Sequence, residues 1–324
     1  MQLQQQSSAH YLLSGASGLL GTSIRSSLLH IGAEVLQLVR RSPRGPRELQ
    51  WSPGSSHPLE DLARLEGLAA AIHLSGASVA GRRWTPAYRR EMWTSRVEST
   101  RALCAVLRTL ERPPCTLLIA SATGIYGDRG DELLDEASAP GGGFLADLCR
   151  EWEEAAAPAT ERGIRVVHLR FGVVLAREGG ALGKMLPAFR LGLGGRMGSG
   201  RQWMSWIALE DAVAATRFLL SDEELAGPVN LCAPLPVTND QFTRALAAQL
   251  RRPAVIPVPA FALRLAFGAM ADEALLASAR VVPRKLLDAG FQFSQPTIEQ
   301  ALAAVLGSPG ERTGGSGQSE TAAK

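Results

Sequence analysis

Three stretches of this sequence combine residue types and spacings that can do chemistry. The first is Ser14-Gly15-Ala16-Ser17-Gly18-Leu19-Leu20-Gly21, with glycines spaced G-x-x-G-x-x-G. Gly15 permits a tight turn, Gly18 lets the backbone approach a bulky anion, and Gly21 lets a following helix pack close to a sheet. A helix starting there offers free N–H groups and about half a positive charge, which suits the pyrophosphate of a dinucleotide. Ser17, between the glycines, belongs to the same set. The second stretch is Arg40-Arg41, where an NAD site carries an Asp or Glu for the ribose 2′-hydroxyl, about 20 residues past the glycines. Two guanidiniums suit a 2′-phosphate instead, because Arg matches phosphate geometry and keeps its charge. The implied cofactor is NADP. The third stretch is Ser121-Ala122-Thr123-Gly124-Ile125-Tyr126-Gly127, two hydroxyls and a phenol just past an apolar run. Hydroxyls at that place in a doubly wound sheet face the ligand crevice.

These residues need elements to position them, and the hydrophobic pattern supplies them. Tyr11-Leu12-Leu13 reads as a strand entering the glycines, and Leu20, Ile24, Leu28 and Ile31 recur at helical spacing after them. A second strand over 34–39 ends at Arg40. The Pro-, Gly- and Ser-rich stretch 43–58 reads as a loop, and 59–68 as a short helix. A buried strand over 71–77 ends in the small residues Ser75, Gly76 and Ala77, which let a cofactor lie close. A long helix over 84–110 carries Arg89, Arg90, Arg96 and Arg101 on a solvated face, and Pro113-Pro114 ends it. Strands over 116–120 and 165–170 flank an acidic, mobile loop over 128–143 and a helix over 144–157. Alternating strands and helices imply a parallel sheet covered on both faces. A glycine-punctuated segment follows, ending in Trp203-Met204-Ser205-Trp206-Ile207. Then come a helix over 210–220, a strand over 229–232, a helix capped by Thr238, a stiff connector over 253–259 and largely helical chain over 263–287.

The bulk numbers set bounds. The chain has 324 residues, 46% of them hydrophobic, enough for one substantial core or two modest domains. No apolar run approaches the roughly 20 residues of a membrane span, and a net charge of +3 is too near balance to argue for nucleic acid. The four cysteines form no C-x-x-C pair and read as free, mostly buried thiols in a reducing compartment. The histidines lack metal spacing; His73 and His168 read as core or sheet residues. The expectations are a cytoplasmic monomer or homodimer with a small-molecule substrate, no metal, no nucleic acid and no membrane.

The glycine stretch, the Ser121 to Gly127 strand end and Trp206-Ile207-Ala208-Leu209-Glu210-Asp211 resemble the extended branch of the short-chain dehydrogenase/reductases. Arg83-Trp84 with Ser95-Arg96, Phe144-Leu145-Ala146 with Trp152-Glu153, and Arg170-Phe171-Gly172-Val173-Val174-Leu175 narrow the resemblance. So do Gly198-Ser199-Gly200-Arg201-Gln202-Trp203 and the C-terminal run from Val281 to Phe291. Together they are similar to the nucleoside-diphosphate-sugar epimerase-like subfamily, over about residues 11–306. The resemblance implies an α/β fold: a Rossmann-like doubly wound parallel sheet with a smaller mixed α/β C-terminal substrate domain. The NADP-binding domain would run over 10–227, with a substrate-side insertion at about 176–206. The C-terminal domain would run over 228–306, between a disordered leader over 1–9 and a disordered tail over 307–324.

By the same resemblance, cofactor contacts fall on Gly15, Gly18, Leu19, Leu20, Gly21, Arg40, Arg41, Leu74, Ser75, Glu91, Arg96 and Val174. Short-chain dehydrogenases also pair a Ser or Thr with Tyr-x-x-x-Lys on the next helix, the Tyr acting as acid/base with its pKa lowered by the Lys. Here that helix has neither Tyr nor Lys and carries Cys149, Arg150 and Trp152. The usual Trp-Ile-His is Trp206-Ile207-Ala208. The catalytic candidates are therefore Ser121, Thr123 and Tyr126. Arg196, Arg201 and Trp203, in a glycine-rich loop, suit a phosphorylated or planar substrate. Two functions are compatible with this set. One is an NADP(H)-dependent oxidoreductase or epimerase acting on a nucleotide-sugar or small carbonyl compound. The other is a non-catalytic NADP(H)-binding sensor or scaffold.

Overall fold

Short apolar runs, each closed by a glycine turn or a polar bend, assemble into one parallel sheet of seven strands. The fold is described from a computed structural model, which describes residues 9–307. The expected leader and tail lie outside those residues, apart from Ala9 and Gly307. The strands are β1 (His10–Ser14), β2 (Glu34–Val39), β3 (Glu48–Gln50), β4 (Ala70–His73), β5 (Thr116–Ala122), β6 (Arg165–Phe171) and β7 (Gly227–Leu231). Their order is β3-β2-β1-β4-β5-β6-β7, every pair parallel. The chain starts in the middle and winds outward in both directions. The reversal between β1 and β4 is the topological switch point, where such sheets open a crevice at the strand C-termini.

Helix α1 (Leu19–His30) follows the glycine turn and buries Gly21, Ile24 and Leu28 against the sheet. Ile31, expected on that face, caps the helix and is exposed, because the chain turns away at Gly32 (φ 80). A Cβ on Gly15 (φ 69) would sit 2.8 Å from the Leu74 carbonyl carbon and oxygen. A Cβ on Gly21 would sit 2.1 Å from the Gly15 carbonyl oxygen. The close approach at Gly21 is therefore to the turn itself, rather than to the sheet.

Several expected boundaries shift for local reasons. The stretch 43–58 holds β3, whose Glu48, Leu49 and Gln50 pair in register with Gln37, Leu38 and Val39. The expected helix over 59–68 is a single 3-10 turn, Leu62–Leu65, that buries Leu65 and stops before Gly67 (φ 74). The long helix starts at Pro86, where Thr85 Oγ1 accepts from Tyr88 N–H. It divides into α2 (Pro86–Trp93), a π turn over Thr94–Glu98, and α3 (Ser99–Thr109). That wider turn shifts the facing of the residues inside it, and Arg96 is buried instead of solvated. Helix α4 (Phe144–Glu154) stops short of Ala157, where Pro158 sits in the first turn of a separate helix, Ala157–Glu161.

The loop expected to be mobile is pinned. Leu133–Leu134 forms a short parallel pair with Arg280–Val281, Arg129 N–H donates to Ser278 O, and Ser278 Oγ donates to Gly130 O. Pairing there interrupts the helical pattern expected over 263–287. It becomes a helix at Ala260–Phe267, a π turn at Ala271–Leu275, and a short helix at Arg284–Asp288. Thr238 does cap the helix Asn239–Leu250, in a capping box with Gln241. Beside the main core lies a second one, in which Leu182, Leu186, Phe189 and Trp206 meet Phe242, Leu246 and Leu302. Among the described residues, no helix is long and apolar enough to cross a membrane.

The Gly15–Gly21 contact makes a direct prediction. Gly21→Ala forces a Cβ into a backbone carbonyl. Urea unfolding should show a loss of at least about 1–3 kcal/mol, and an unchanged midpoint would mean that the turn can relax.

Candidate functional site

At the switch point the strand ends, the glycine turn and α2 enclose a cleft of about 880 Å³. Gly15, Ser17 and Gly18 form its floor with Leu74, Ser75 and Gly76 at the end of β4; Arg40 and Arg41 close one end, and Glu91 of α2 stands in the wall. Nine of the residues singled out in the sequence thus meet in one place. Thr22, Arg25, Gln37 and Glu48 also line the cleft and were not singled out.

Glu48 changes the reading of the arginine pair. Its carboxylate takes a two-pronged grip from Arg41, with Nη1 at 2.7 Å and Nη2 at 2.6 Å, and accepts Arg44 N–H at 2.6 Å. These hydrogen bonds, that from Arg41 foremost, hold the Glu48 carboxyl down at about 2. It is therefore an anion at the end of the cleft where the two arginines stand. Register explains the placement, because β3 lies against β2 with Glu48 beside Gln37. Arg40 is exposed and has no ion-pair partner among the described residues.

Beneath the floor runs a hydroxyl–imidazole chain. Register places Ser14 of β1 beside His73 of β4, and Ser14 Oγ lies 2.7 Å from His73 Nδ1. Donor counting fixes the protons. Ser14 Oγ accepts from Leu74 N–H and Ser75 Oγ–H, both at 3.1 Å, so its own proton goes to His73 Nδ1. His73 is then the Nε2–H tautomer and donates to Ser99 Oγ at 3.2 Å, while Ser99 donates to Ser95 O. Complete burial pushes the imidazole pKa down to about 4, so the ring is neutral at ordinary pH. His73 is a core residue, as its place in an apolar strand suggested.

A second polar cluster lies across β5, β6 and β7, where Ser121, Arg170 and Asn230 occupy one rung of the sheet. Glu153 of α4 faces them. Arg170 donates to both of its carboxylate oxygens at 2.8 Å, Nε to Oε1 and Nη2 to Oε2, and Ser121 Oγ donates to Oε1 at 2.7 Å. Arg170 also donates to Tyr126 Oη at 2.9 Å, and that hydroxyl donates to Asn230 Oδ1 at 2.8 Å. Tyr126 is fully buried, and burial pushes its phenol up to about 12 against the pull of Arg170. With its oxygen held on both sides, Tyr126 serves the packing of the rung and does not line the cleft. Thr123 opens the 3-10 turn Thr123–Tyr126 and is half-buried.

The remaining candidates fall elsewhere. Leu19 and Val174 converge on Gly180, whose added Cβ would lie 3.5 Å from Leu19 Cδ2 and 3.4 Å from Val174 O. Leu20 packs against the main core. Arg96 sits behind the wall, between Gly76 and the Trp152 ring (5.1 Å to its centroid), and donates to Met92 O. Burial lowers its pKa, and no carboxylate pairs with it among the described residues. Arg196 and Arg201 are exposed and outside the cleft lining. Trp203 donates to Asp131 Oδ1 at 2.7 Å and carries Arg280 over its ring, so it ties the 128–143 loop to the C-terminal segment. Cys104, Cys149 and Cys232 are buried free thiols, while Cys115 is exposed.

A glycine turn at the switch point of a doubly wound sheet defines a nucleotide-binding α/β protein. Comparison with known proteins gives the family. A model of the NAD dependent epimerase/dehydratase family matches residues 11–232, and one of a domain of unknown function (DUF1731) matches 258–305. The chain is 44% identical over 298 residues to Epimerase family protein Mb2239 of Mycobacterium bovis, spanning 92% of this chain and 98% of that protein. The crystal structure of human epimerase family protein SDR39U1 with NADPH matches at a TM-score of 0.84 and 32% identity, over 91% of this chain and 98% of that one. A nucleoside-diphosphate sugar epimerase from Corynebacterium glutamicum matches at 0.77 and 35%, over 93% of this chain and 59% of its own length. The chain belongs to the NAD dependent epimerase/dehydratase family, in the short-chain dehydrogenase/reductase class.

The buried imidazole gives this site a pH signature. His73 stays unprotonated when folded until about 4, but protonates near 6.5 when unfolded. Below 6.5 the unfolded state therefore binds the extra proton, and stability falls as pH drops from 6.5 towards 4. The loss should total about 3 kcal/mol across that window. Denaturation midpoints across this range should show a slope in the wild type that is missing in His73→Gln. Parallel slopes would mean that other groups carry the dependence.

Proposed function

We propose that the protein binds NADP(H) in this cleft and works as an NADP(H)-dependent oxidoreductase or epimerase on a nucleotide-sugar or small carbonyl compound. The observation that carries the cofactor choice is Arg40-Arg41 in the cleft wall at the end of β2, where an NAD site carries an acid. The fit is good on other grounds. Gly15 leaves no room for a side chain, so the backbone there can approach a pyrophosphate, and Gly76 keeps the end of β4 equally bare. The NADPH in the structure of the human relative supports the same choice.

The dinucleotide supplies or accepts a hydride when bound; the chain must hold the substrate and handle the proton. Ser121 is the penultimate residue of β5, with Thr123 just past the strand's end; both lie near the strand C-termini but outside the cleft lining. We assign them to orient a substrate oxygen. Ser121 directs its own proton to Glu153 Oε1 and is buried, so it would reach a substrate only through its oxygen, at the end of β5. Neither residue is a strong base at neutral pH, and loss of general acid/base help costs roughly 10²–10⁴ in rate. The second reading, an NADP(H) sensor or scaffold without turnover, is favoured by the absence of Tyr and Lys from α4 together with the enclosed Tyr126 hydroxyl.

Calorimetry should find NADPH tighter than NADH by about tenfold or more, the value of one charge-assisted pair to phosphate. Arg40→Ala should remove most of that difference. Glu48→Gln should tighten NADPH and leave NADH alone, because it frees the Arg41 fork and removes a charge facing the phosphate. Equal affinities for the two cofactors would overturn the choice.

Stopped-flow oxidation of NADPH across sugar nucleotides, ketones and quinones tests the chemistry. Slow turnover is expected, lowered further by Ser121→Ala at unchanged NADPH affinity. Turnover of an ordinary sugar nucleotide at full enzymatic rate in Ser121→Ala and Thr123→Ala alike would exclude both residues. A complete lack of turnover favours the sensor.

A further inference from the structure

Half of the large hydrophobic side chains exposed on the described surface gather in one region. Leu191 (74% exposed) and Leu193 follow the helix Gly180–Arg190. Val255 (80%) and Ile256 lie in the proline-flanked run after residue 252. Phe261 (71%) and Leu265 (76%) stand one turn apart on the helix Ala260–Phe267, whose Leu263 faces inward. The backbone holds these segments together. Val258 N–H donates to Arg196 O, and Gly198 N–H donates to Val258 O. A Cβ on Gly192 would lie 3.5 Å from Pro253 Cγ, and one on Gly198 would lie 3.9 Å from Ala260 Cβ.

The same region is rich in arginine, with carboxylates only at its edges. Residues 186–206 and 241–271 contain seven arginines and no Asp or Glu. Arg244 pairs with Asp240 and Arg264 with Asp272, both carboxylates lying outside those stretches. Arg190, Arg196, Arg201, Arg251 and Arg252 are exposed and have no ion-pair partner among the described residues. The face also borders the cleft: Arg83 Nη1 donates to Leu265 O, and the neighbouring Arg82 lines the cleft wall.

We propose that this face docks on an anionic lipid surface, with Val255, Phe261 and Leu265 inserted at the headgroup boundary and the arginines on lipid phosphates. Protruding apolar side chains ringed by cations are what interfacial binding needs, and no spanning helix is required. A second copy of the chain fits poorly, because a two-fold contact through this patch would press the same arginines against each other. Docking here places the cleft mouth beside the bilayer, within reach of an amphipathic substrate.

The test is co-sedimentation of the full chain with vesicles of phosphatidylcholine alone and with phosphatidylglycerol added. Binding should appear only with the anionic lipid and fall as salt is raised. Phe261→Ser/Leu265→Ser should weaken it roughly tenfold or more, and Arg251→Gln/Arg252→Gln should weaken it and flatten its salt dependence. NADPH affinity and thermal midpoint, measured on both variants, report that the fold is intact. No binding to the anionic vesicles, or binding that survives in both variants, overturns the proposal. So does self-association in light scattering that Phe261→Ser/Leu265→Ser abolishes in a protein that ignores vesicles.

Discussion

Three backbone segments touch at the switch point, and the rest of the site depends on that contact. The glycine turn is pressed by α1 from one side, at Gly21, and by the end of β4 from the other, at Leu74. No side chain fits in either gap. The contact sets where α1 begins, and so where its free N–H groups point. It also sets how far β4 extends before it must bend, which brings Ser75 and Gly76 into the floor of the cleft. The hydroxyl–imidazole chain under the floor is the polar counterpart. Ser14 and Ser75 belong to the two strand ends that the turn separates, and His73 links them to Ser99 of α3. A buried chain of this kind favours a single arrangement, because any shift leaves a buried donor or acceptor without a partner.

The glycine stretch, the central strands and many of the residues that line the cleft were legible in the sequence, because each is marked locally. A strand, a turn and a helix with period 3.6 need no distant partner to be recognised. Glu48 was not legible. It lies in a proline-rich stretch with no alternation, and only pairing with β2 turns residues 48–50 into a strand that delivers the carboxylate to Arg41. Arg96 was misread as solvated, since one wide turn moves it from one helix face to another. The rung of Ser121, Arg170 and Asn230 could have been found by aligning the strand ends, given the sheet order. The resemblance implied a doubly wound parallel sheet, but the register was not written in any one strand.

The two polar clusters are built on different principles. The one beneath the cleft is neutral, so it meets no Born penalty. The rung on β5 to β7 buries a charged pair, which is stable only because the hydrogen bonds are parallel and the leftover donors and acceptors find Ser121, Tyr126 and Asn230. Such a cluster fixes side-chain positions strongly and tolerates little change. In this chain the carboxylate of Glu153 and the hydroxyl of Tyr126 are both engaged in holding the rung together.

The short pair between Leu133–Leu134 and Arg280–Val281 joins segments far apart in the chain, and this bears on the order of assembly during synthesis. The seven strands and the glycine turn are all present once residue 231 has left the ribosome, so the nucleotide-binding sheet can close before the last quarter of the protein exists. The loop over 128–143 then waits for Ser278 and its neighbours, and Trp203 waits with it. The segment after residue 231 is therefore completed last, on a sheet already in place.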